Sequence, residues 1–168
     1  MDISEFHLCF RPIQYDDGPE VIEIFNHYIK FSDAAFPEKP VSEDFFENMR
    51  AVIDHYPSVA VRTETGTLVG FGMLKPHNPF PAFRHTGEIT YFIRDGWTGK
   101  GIGRHMLDTL VEEGKRAGLL NILAEISSKN EGSIRFHQNT GFFECGRFRN
   151  VGHKKGQFFD TVWMQKEI

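Results

Sequence analysis

Three glycines, Gly99, Gly101 and Gly103, alternate directly before a segment with the apolar periodicity of a helix. Glycine loses more backbone entropy on folding than any other residue, so this density indicates a backbone that something must approach closely. A strand, a glycine-rich turn and a helix N-terminus together form a common anion site, because exposed N–H groups and the helix dipole both favour a phosphate there. Residues 96 to 118, GWTGKGIGRHMLDTLVEEGKRAG, therefore predict a phosphate-binding loop.

Two nucleotide-binding motifs do not fit this stretch. In a P-loop alignment, the positions of the Lys and the Ser or Thr hold Ile102 and Gly103. In the dinucleotide motif GxGxxG, the third glycine position holds Arg104 or Met106, depending on the frame. That motif also usually begins its domain, whereas about half of this chain precedes the loop. A glycine-rich turn that binds no ligand stays open as the alternative.

Composition limits the function classes. The chain has 168 residues, 40% of them hydrophobic, which fits a single domain over residues 1–168. A net charge of -4 argues against a nucleic-acid partner. Apolar runs fall short of the roughly 18 residues that span a bilayer, and MDISEFHLCF does not read as a signal peptide. We therefore expect a cytoplasmic protein with no membrane partner.

Cysteine and histidine spacing gives no metal site. Cys9 and Cys145 lie far apart and have no CxxC spacing, and the eight histidines are scattered. We expect no metal, no disulfide and two buried free thiols.

Apolar patterns predict the element order β-α-α-β-β-β-α-β-α-β-β, an α/β architecture with an antiparallel front half. In chain order, the predicted elements are a strand in HLCFRPI, a helix in VIEIFNHYIKF capped by Asp16 or Asp17, a helix from Ser42 with a capping box, a hairpin around Glu64-Thr65-Gly66, a proline-rich loop at 75–83, a strand at 87–95, a helix through Arg116, a strand at 120–127, a helix from near Asn130 to Thr140-Gly141, and two strands around a Gly/Lys turn.

The loop from Thr98 to Arg104 resembles the pyrophosphate loop of the GNAT family of N-acetyltransferases, Gln/Arg-x-x-Gly-x-Gly/Ala. Gly101 and Gly103 take its glycine positions, and Thr98 stands where Gln or Arg is usual. NEGSIRFHQNTGF resembles the later Asn, helix and Gly-Phe segment of that family, and the element order matches along nearly the whole chain. The resemblance implies a mixed, mostly antiparallel central sheet that splays after its fourth strand, with helices on both faces.

The same resemblance implies acetyl-CoA as co-substrate, without a metal. It assigns the pantetheine arm to main-chain groups of the fourth strand and to the start of the last helix, and the pyrophosphate to the glycine loop. The implied contacts are Tyr91, Phe92, Ile93, Asn130 and Ser133 for the arm, and Thr98, Gly99, Lys100, Gly101, Ile102, Gly103 and Arg104 for the pyrophosphate.

A narrower resemblance is to the phosphinothricin and methionine sulfoximine acetyltransferases. It rests on NHYI, AFRHTGEITYFI, SIRFHQNTGF and VGHKKGQFFDTVWMQ, the last with the pattern Gly-x-Lys-x-Gly-x-aromatic-x-Asp. It implies transfer of acetyl to the α-amine of a small amino acid or analogue, by a homodimer. We expect Lys154 and Lys155 of that pattern in a solvated turn or a dimer surface. Another amine acceptor (a polyamine, an aminoglycoside or a protein N-terminus) and a non-catalytic CoA-binding module stay open.

Acetyl transfer needs a neutral amine, an acceptor for its proton and a donor for the leaving thiolate. By resemblance, Glu88 matches the general base, and the alternative is a strand glutamate that faces solvent. His137 stands four residues before Gly-Phe, where many relatives have a tyrosine acid, and could instead be a packing residue. Arg84 is implied to hold the carboxylate of the substrate. Phe36 either walls the substrate pocket or packs in the core.

Overall fold

The computed structural model describes residues 6–168, which form a seven-stranded sheet and four α-helices in the predicted order. The strands are β1 Cys9–Arg11, β2 Ser58–Arg62, β3 Leu68–Pro76, β4 Thr86–Ile93, β5 Asn121–Ser127, β6 Phe143–Lys154 and β7 Gln157–Glu167. The helices are α1 Gly18–Phe31, α2 Asp44–Ile53, α3 Ile102–Arg116 and α4 Glu131–Asn139.

The strands are arranged in the order β1-β2-β3-β4-β5-β7-β6. Within the described residues, β4 and β5 are the parallel pair, and all other neighbours are antiparallel. This arrangement confirms the mixed, mostly antiparallel sheet. A connection through α3 joins β4 to β5, as a parallel neighbour requires a crossover rather than a hairpin.

The sheet splays between β4 and β5. These strands pair only at Thr86 with Asn121, Gly87 with Ile122 and Glu88 with Leu123, although β4 continues to Ile93. On this side, no strand among residues 6–168 pairs with the second half of β4, although the Ile93 carbonyl accepts from the Tyr28 hydroxyl at 2.6 Å. Buried backbone groups need hydrogen bonds, so this gap is a place for another molecule's polar groups.

Each face of the sheet carries its own apolar core. On one face α3 packs against β2, β3 and β4, and it contributes Ile102, Met106 and Leu110, one residue every four, to the core there. On the other face, α1 and α2 pack against β3 and β4 through residues that include Val21, Ile24, Phe46, Met49, Phe71 and Phe92. Helices therefore flank both faces, as predicted.

The predicted caps of the first two helices are wrong. Asp17 precedes α1, but its buried carboxylate bonds Arg11 (2.7 Å), Arg62 (2.6 Å) and the Gln14 N–H (2.7 Å) instead of capping the helix. The second helix begins at Asp44, two residues after the predicted Ser42, and has no side-chain cap. Ion pairs with two arginines stabilise the Asp17 carboxylate more than a single hydrogen bond from a helix N–H would.

Two other predictions need correction. Cys9 and Cys145 are exposed rather than buried, because they lie on β1 and β6, the two edge strands. The proline-rich loop begins later than predicted, since Pro76 is the last residue of β3, opposite Gly87, and Pro81 opens a short 3₁₀ helix. Among residues 6–168, no helix is both long and apolar enough to cross a membrane.

We predict that Asp17→Asn lowers the free energy of unfolding at pH 7 by about 3–5 kcal/mol, because it strips a buried partner from two arginines. Burial opposes ionisation of Asp17, but hydrogen bonds from Arg11, Gln14 and Arg62 lower its pKa. A lowered pKa adds stability that is present above the unfolded-state pKa of about 3.9 and is lost as pH falls through the folded-state value.

The measurement is denaturant unfolding of the parent and Asp17→Asn at pH 7 and near pH 3. Asp16→Asn, an exposed neighbour, is the control and should stay near the parent. A gap between parent and Asp17→Asn that stays constant across this pH range would contradict the ion-pair account.

Candidate active site

A cavity of about 870 Å³ opens where β4 and β5 part. Most of the candidate site residues line it: Phe36, Glu88, Tyr91, Phe92, Ile93, Thr98, Gly99, Gly103, Asn130, Ser133 and His137. The residues of the candidate set that do not line it are Arg84, Lys100, Gly101, Ile102 and Arg104.

The glycine loop leaves backbone donors free at the N-terminus of α3. Within the described residues, the N–H groups of residues 98–103 have no hydrogen-bond acceptor. Gly99 (φ +74°) and Gly101 (φ +84°) adopt left-handed conformations, which explains two of the three glycines. Free donors at a positive helix end fit an anion such as a pyrophosphate.

The two basic side chains of the loop are engaged elsewhere. The Lys100 ammonium lies over the rings of Phe6 (5.2 Å) and Trp97 (5.7 Å), and Arg104 pairs with Asp108 at 3.0 Å, one helical turn along. They flank the cavity rather than line it. Their contact with a phosphate stays a prediction.

Glu88 stands at the point where the β4–β5 ladder ends. One carboxylate oxygen lies 2.9 Å from the Lys75 ammonium, and the other lies 2.8 Å from Nδ1 of His77. Lys75 is directly opposite Glu88 in the β3–β4 register. Sequence analysis missed both partners, although cross-strand pairing of a Lys with a Glu was a usable signal for Lys75. The two contacts hold the carboxylate at the cavity wall.

His137 is buried at the far side of the gap, with both ring nitrogens bonded. Nδ1 lies 2.8 Å from the carbonyl oxygen of Ser133, which can only accept, so Nδ1 carries the proton. Nε2 therefore accepts from the Tyr91 hydroxyl at 2.8 Å. Burial lowers the pKa of His137, and the Ser133 carbonyl opposes this only partly. Of the two protons in this neutral pair, the one on Nδ1 of His137 points to the Ser133 carbonyl, and the other lies on the Tyr91 hydroxyl. Burial raises the pKa of Tyr91.

Phe36 and Arg84 take different positions. Phe36 lines the cavity and stacks on Phe159 of β7, with ring centroids 5.9 Å apart, so it serves both as wall and in packing. Arg84 is exposed at the end of the 3₁₀ helix, where its guanidinium donates to the Pro81 carbonyl at 3.3 Å. Its role toward a carboxylate stays a prediction. Asn130 caps α4 by accepting from the Ser133 N–H at 3.2 Å.

The prediction of a solvated turn is wrong for Lys154, while Lys155 is exposed. Lys154 is 2% exposed and donates to the carbonyls of Ser32 (3.0 Å) and Ala35 (2.6 Å). Burial lowers its pKa. The pattern that contains it thus ties the β6–β7 hairpin to the segment after α1, whose residues 34–37 form part of the cavity wall.

Gly152, in the same sequence pattern, also helps to form this part of the cavity wall. A Cβ at this position would lie 2.2 Å from the Phe159 ring, so only glycine admits the ring on which Phe36 stacks. The sequence contains the Gly-x-Lys-x-Gly pattern, but it could not reveal the partners of Lys154, which are backbone atoms about 120 residues away.

A splayed sheet beside a glycine-rich helix N-terminus, with a carboxylate at the edge of the gap, is the arrangement of an N-acetyltransferase. Residues 21–142 match the Acetyltransferase (GNAT) family. The chain belongs to this family and is an N-acetyltransferase.

Three comparisons are specific. An L-amino acid N-acyltransferase, MnaT of Escherichia coli, is 31% identical over 90% of this chain and 89% of its own. An L-methionine sulfoximine/L-methionine sulfone acetyltransferase of Pseudomonas aeruginosa is 32% identical over 90% of each chain. The crystal structure of a phosphinothricin acetyltransferase from Sinorhizobium meliloti, in complex with AcCoA, has a TM-score of 0.91 and 26% identity, covering 96% of this chain and 89% of that one. Within residues 6–168 of this chain, no cluster of three His, Cys, Asp or Glu could hold a metal.

We predict that Lys154→Met frees the segment after α1 without unfolding the protein. The substitution removes two hydrogen bonds from a charged donor, each worth about 1.5–3 kcal/mol, but also removes a buried charge, so the net loss of stability should be about 1–2 kcal/mol. Amide hydrogen exchange of residues 32–36 should accelerate about tenfold or more. Lys155→Met, one residue along and exposed, is the matched control. Unchanged exchange in residues 32–36 would show that Lys154 does not hold the wall.

Proposed function

We propose that this enzyme transfers the acetyl group of acetyl-CoA to the α-amine of a small amino acid or analogue, of the methionine sulfoximine, methionine sulfone or phosphinothricin type. The amine attacks the thioester directly, with Glu88 as general base. The observation that carries the proposal is the Glu88 carboxylate at the cavity wall, where β4 and β5 part. This position supports catalysis over a non-catalytic CoA-binding module. The names of the relatives support an amino-acid acceptor.

The cofactor contacts follow from the gap and the loop. Main-chain groups of Tyr91 and Ile93 face the gap and bind the pantetheine amides. Those of Phe92 face β3, and the Ile93 carbonyl already accepts from the Tyr28 hydroxyl at 2.6 Å. Free N–H groups of residues 98–103 bind the pyrophosphate, with the side chains of Lys100 and Arg104 at its flanks. Asn130 and Ser133, at the start of α4, contact the arm from across the gap. Thr98 offers a hydroxyl where relatives have a longer side chain.

Each proton transfer has its own group. An amino acid's amine is mostly protonated at neutral pH, and Glu88 accepts that proton, directly or through a water molecule. His137 is the acid for the leaving thiolate: in its protonated form Nε2–H donates to the Tyr91 hydroxyl, so a proton passes from His137 through Tyr91 to the thiolate and leaves neutral His137 behind. Phe36 walls the acceptor pocket. Arg84 would have to leave the Pro81 carbonyl to reach a substrate carboxylate.

We also propose that the protein acts in the cytoplasm, where acetyl-CoA is available, and as a homodimer. The dimer is supported by the family resemblance and by β6, an edge strand with the exposed apolar residues Phe143, Phe148 and Val151.

We predict that Gly101→Val weakens acetyl-CoA binding about tenfold or more, because a branched side chain enters the space of the pyrophosphate. The matched control is Gly118→Val. Gly118 has φ +86° against +84° for Gly101, and neither has an atom within 4 Å of an added Cβ. Both variants therefore suffer the same backbone strain, and calorimetric titration should find only Gly101→Val impaired. If folded Gly101→Val bound acetyl-CoA as the parent does, the proposal that the pyrophosphate binds at this loop would be wrong.

The proposed activity is tested by acetyl-CoA turnover, read as free CoA thiol, across amino acids, methionine sulfoximine, methionine sulfone, phosphinothricin, polyamines and aminoglycosides. We predict turnover with small amino acids or analogues and none with polycations. With the best acceptor, Glu88→Gln should lower kcat by about 10²-fold or more while leaving the acetyl-CoA Kd unchanged.

The pH dependence separates a base from a structural residue. In Glu88→Gln the rate should recover as pH rises from about 6 to 10, because solvent then supplies the neutral amine that the carboxylate generates. Superimposable pH–rate profiles of parent and variant would exclude Glu88 as the base.

A further inference from the structure

A second carboxylate, Glu125, lines the same cavity as Glu88. The β4–β5 register pairs Glu88 with Leu123, and alternate residues of a strand face the same side of a sheet. Glu125 therefore lies on the face that Glu88 occupies, just past the last paired residue of β5. The two carboxylates stand on opposite sides of the gap, at its opening.

The basic groups near this opening are already engaged by Glu88. Lys75 and His77 each contact one of its carboxylate oxygens. Within the described residues, Glu125 has no ion pair and no side-chain hydrogen bond. Glu125 is exposed at the open mouth of the gap, and its pKa is raised by partial desolvation there and then by the charge of Glu88, which the charge of Lys75 offsets only in part.

Among the residues that the structure describes, Lys75, Glu88 and Glu125 are the charged residues that line the cavity, which leaves an excess of one negative charge. His137 adds none, because burial keeps it neutral. The rest of the wall on this face is mostly apolar, although Asn48, Thr90 and Ser127 also line it, and it is rich in aromatic and thioether side chains: Phe25, Phe36, Phe45, Met49, Phe71 and Met73. Such a wall fits a side chain without charge, and the excess carboxylate repels an anion.

We propose that Glu125 makes this enzyme select amino acids with an uncharged, methionine-like side chain over acceptors with an anionic side chain. The proposal rests on the proposed function and narrows its substrate class. Methionine sulfone has a neutral side chain, whereas the phosphinate of phosphinothricin adds a negative charge. Both acceptors carry the same α-carboxylate, so repulsion between that group and Glu88 does not discriminate between them. The discrimination by side-chain charge is therefore assigned to Glu125.

The test compares kcat/KM for methionine sulfone and phosphinothricin in the parent, Glu125→Gln and Glu167→Gln. Glu167 is an exposed residue at the end of β7, outside the cavity, so its variant has the same net charge as Glu125→Gln. The parent should favour methionine sulfone. Glu125→Gln should raise the phosphinothricin-to-sulfone ratio about tenfold, the effect of one charge at about 10 Å in a partly hydrated site. Glu167→Gln should leave the ratio unchanged.

Salt supplies a second measurement that needs no variant. Higher ionic strength should raise the parent's ratio toward that of Glu125→Gln, because screening weakens the repulsion. An unchanged ratio in Glu125→Gln, an equal change in Glu167→Gln, or a parent with a salt-independent ratio would overturn the assignment of Glu125 while leaving acetyl transfer intact. A parent that acetylates neither acceptor would overturn the proposed function and this proposal with it.

Discussion

The parting of β4 and β5 after Glu88 is the constraint on which the site depends. Three residue pairs hold the strands together, and beyond them the backbone of β4 needs hydrogen-bond partners from outside the sheet. The glycine loop follows β4 directly, so the free N–H groups of α3 stand at the end of this same open strand. Because the β4–β5 ladder ends early, the unpaired side of β4 leads directly to the anion site at the N-terminus of α3.

The walls of the cavity are held by contacts that are distant in sequence. The segment after α1 is held in part by the β6–β7 hairpin, which supplies the Lys154 ammonium and the Phe159 ring. A buried ammonium is costly when nothing compensates it, and here two carbonyls do so; no carboxylate of residues 6–168 lies in hydrogen-bond range of it. The carbonyls are fixed in return, because turning either one away would leave the ammonium under-coordinated.

Sequence reasoning was accurate where information is local. Periodicity gave every helix and strand of the element order. The glycine loop and Glu88 were singled out by the family resemblance, and their roles stay predictions. Sequence reasoning failed where distant groups compete with local ones. Asp17 had the sequence context of a cap, but Arg62 reaches it across 45 residues. Lys154 resembled an exposed turn lysine, because nothing in the local sequence indicates that two distant backbone carbonyls accept hydrogen bonds from it. Glu125 has no motif at all, and only the strand register makes it a neighbour of Glu88.

Alternation along β4 also separates the two proton transfers of the proposed reaction. Glu88 lies on one face of the strand, with Lys75 and Glu125 around it, so the amine side of the gap is charged. Tyr91 lies on the other face with His137, and burial keeps that pair neutral. Alternate residues of a strand face opposite sides of the sheet, so the group proposed to accept the amine's proton and the pair proposed to supply the thiolate's proton have separate neighbours. A change to the Lys75 contact of Glu88 therefore leaves the hydrogen bond between Tyr91 and His137 in place, and each proton transfer can be altered on its own.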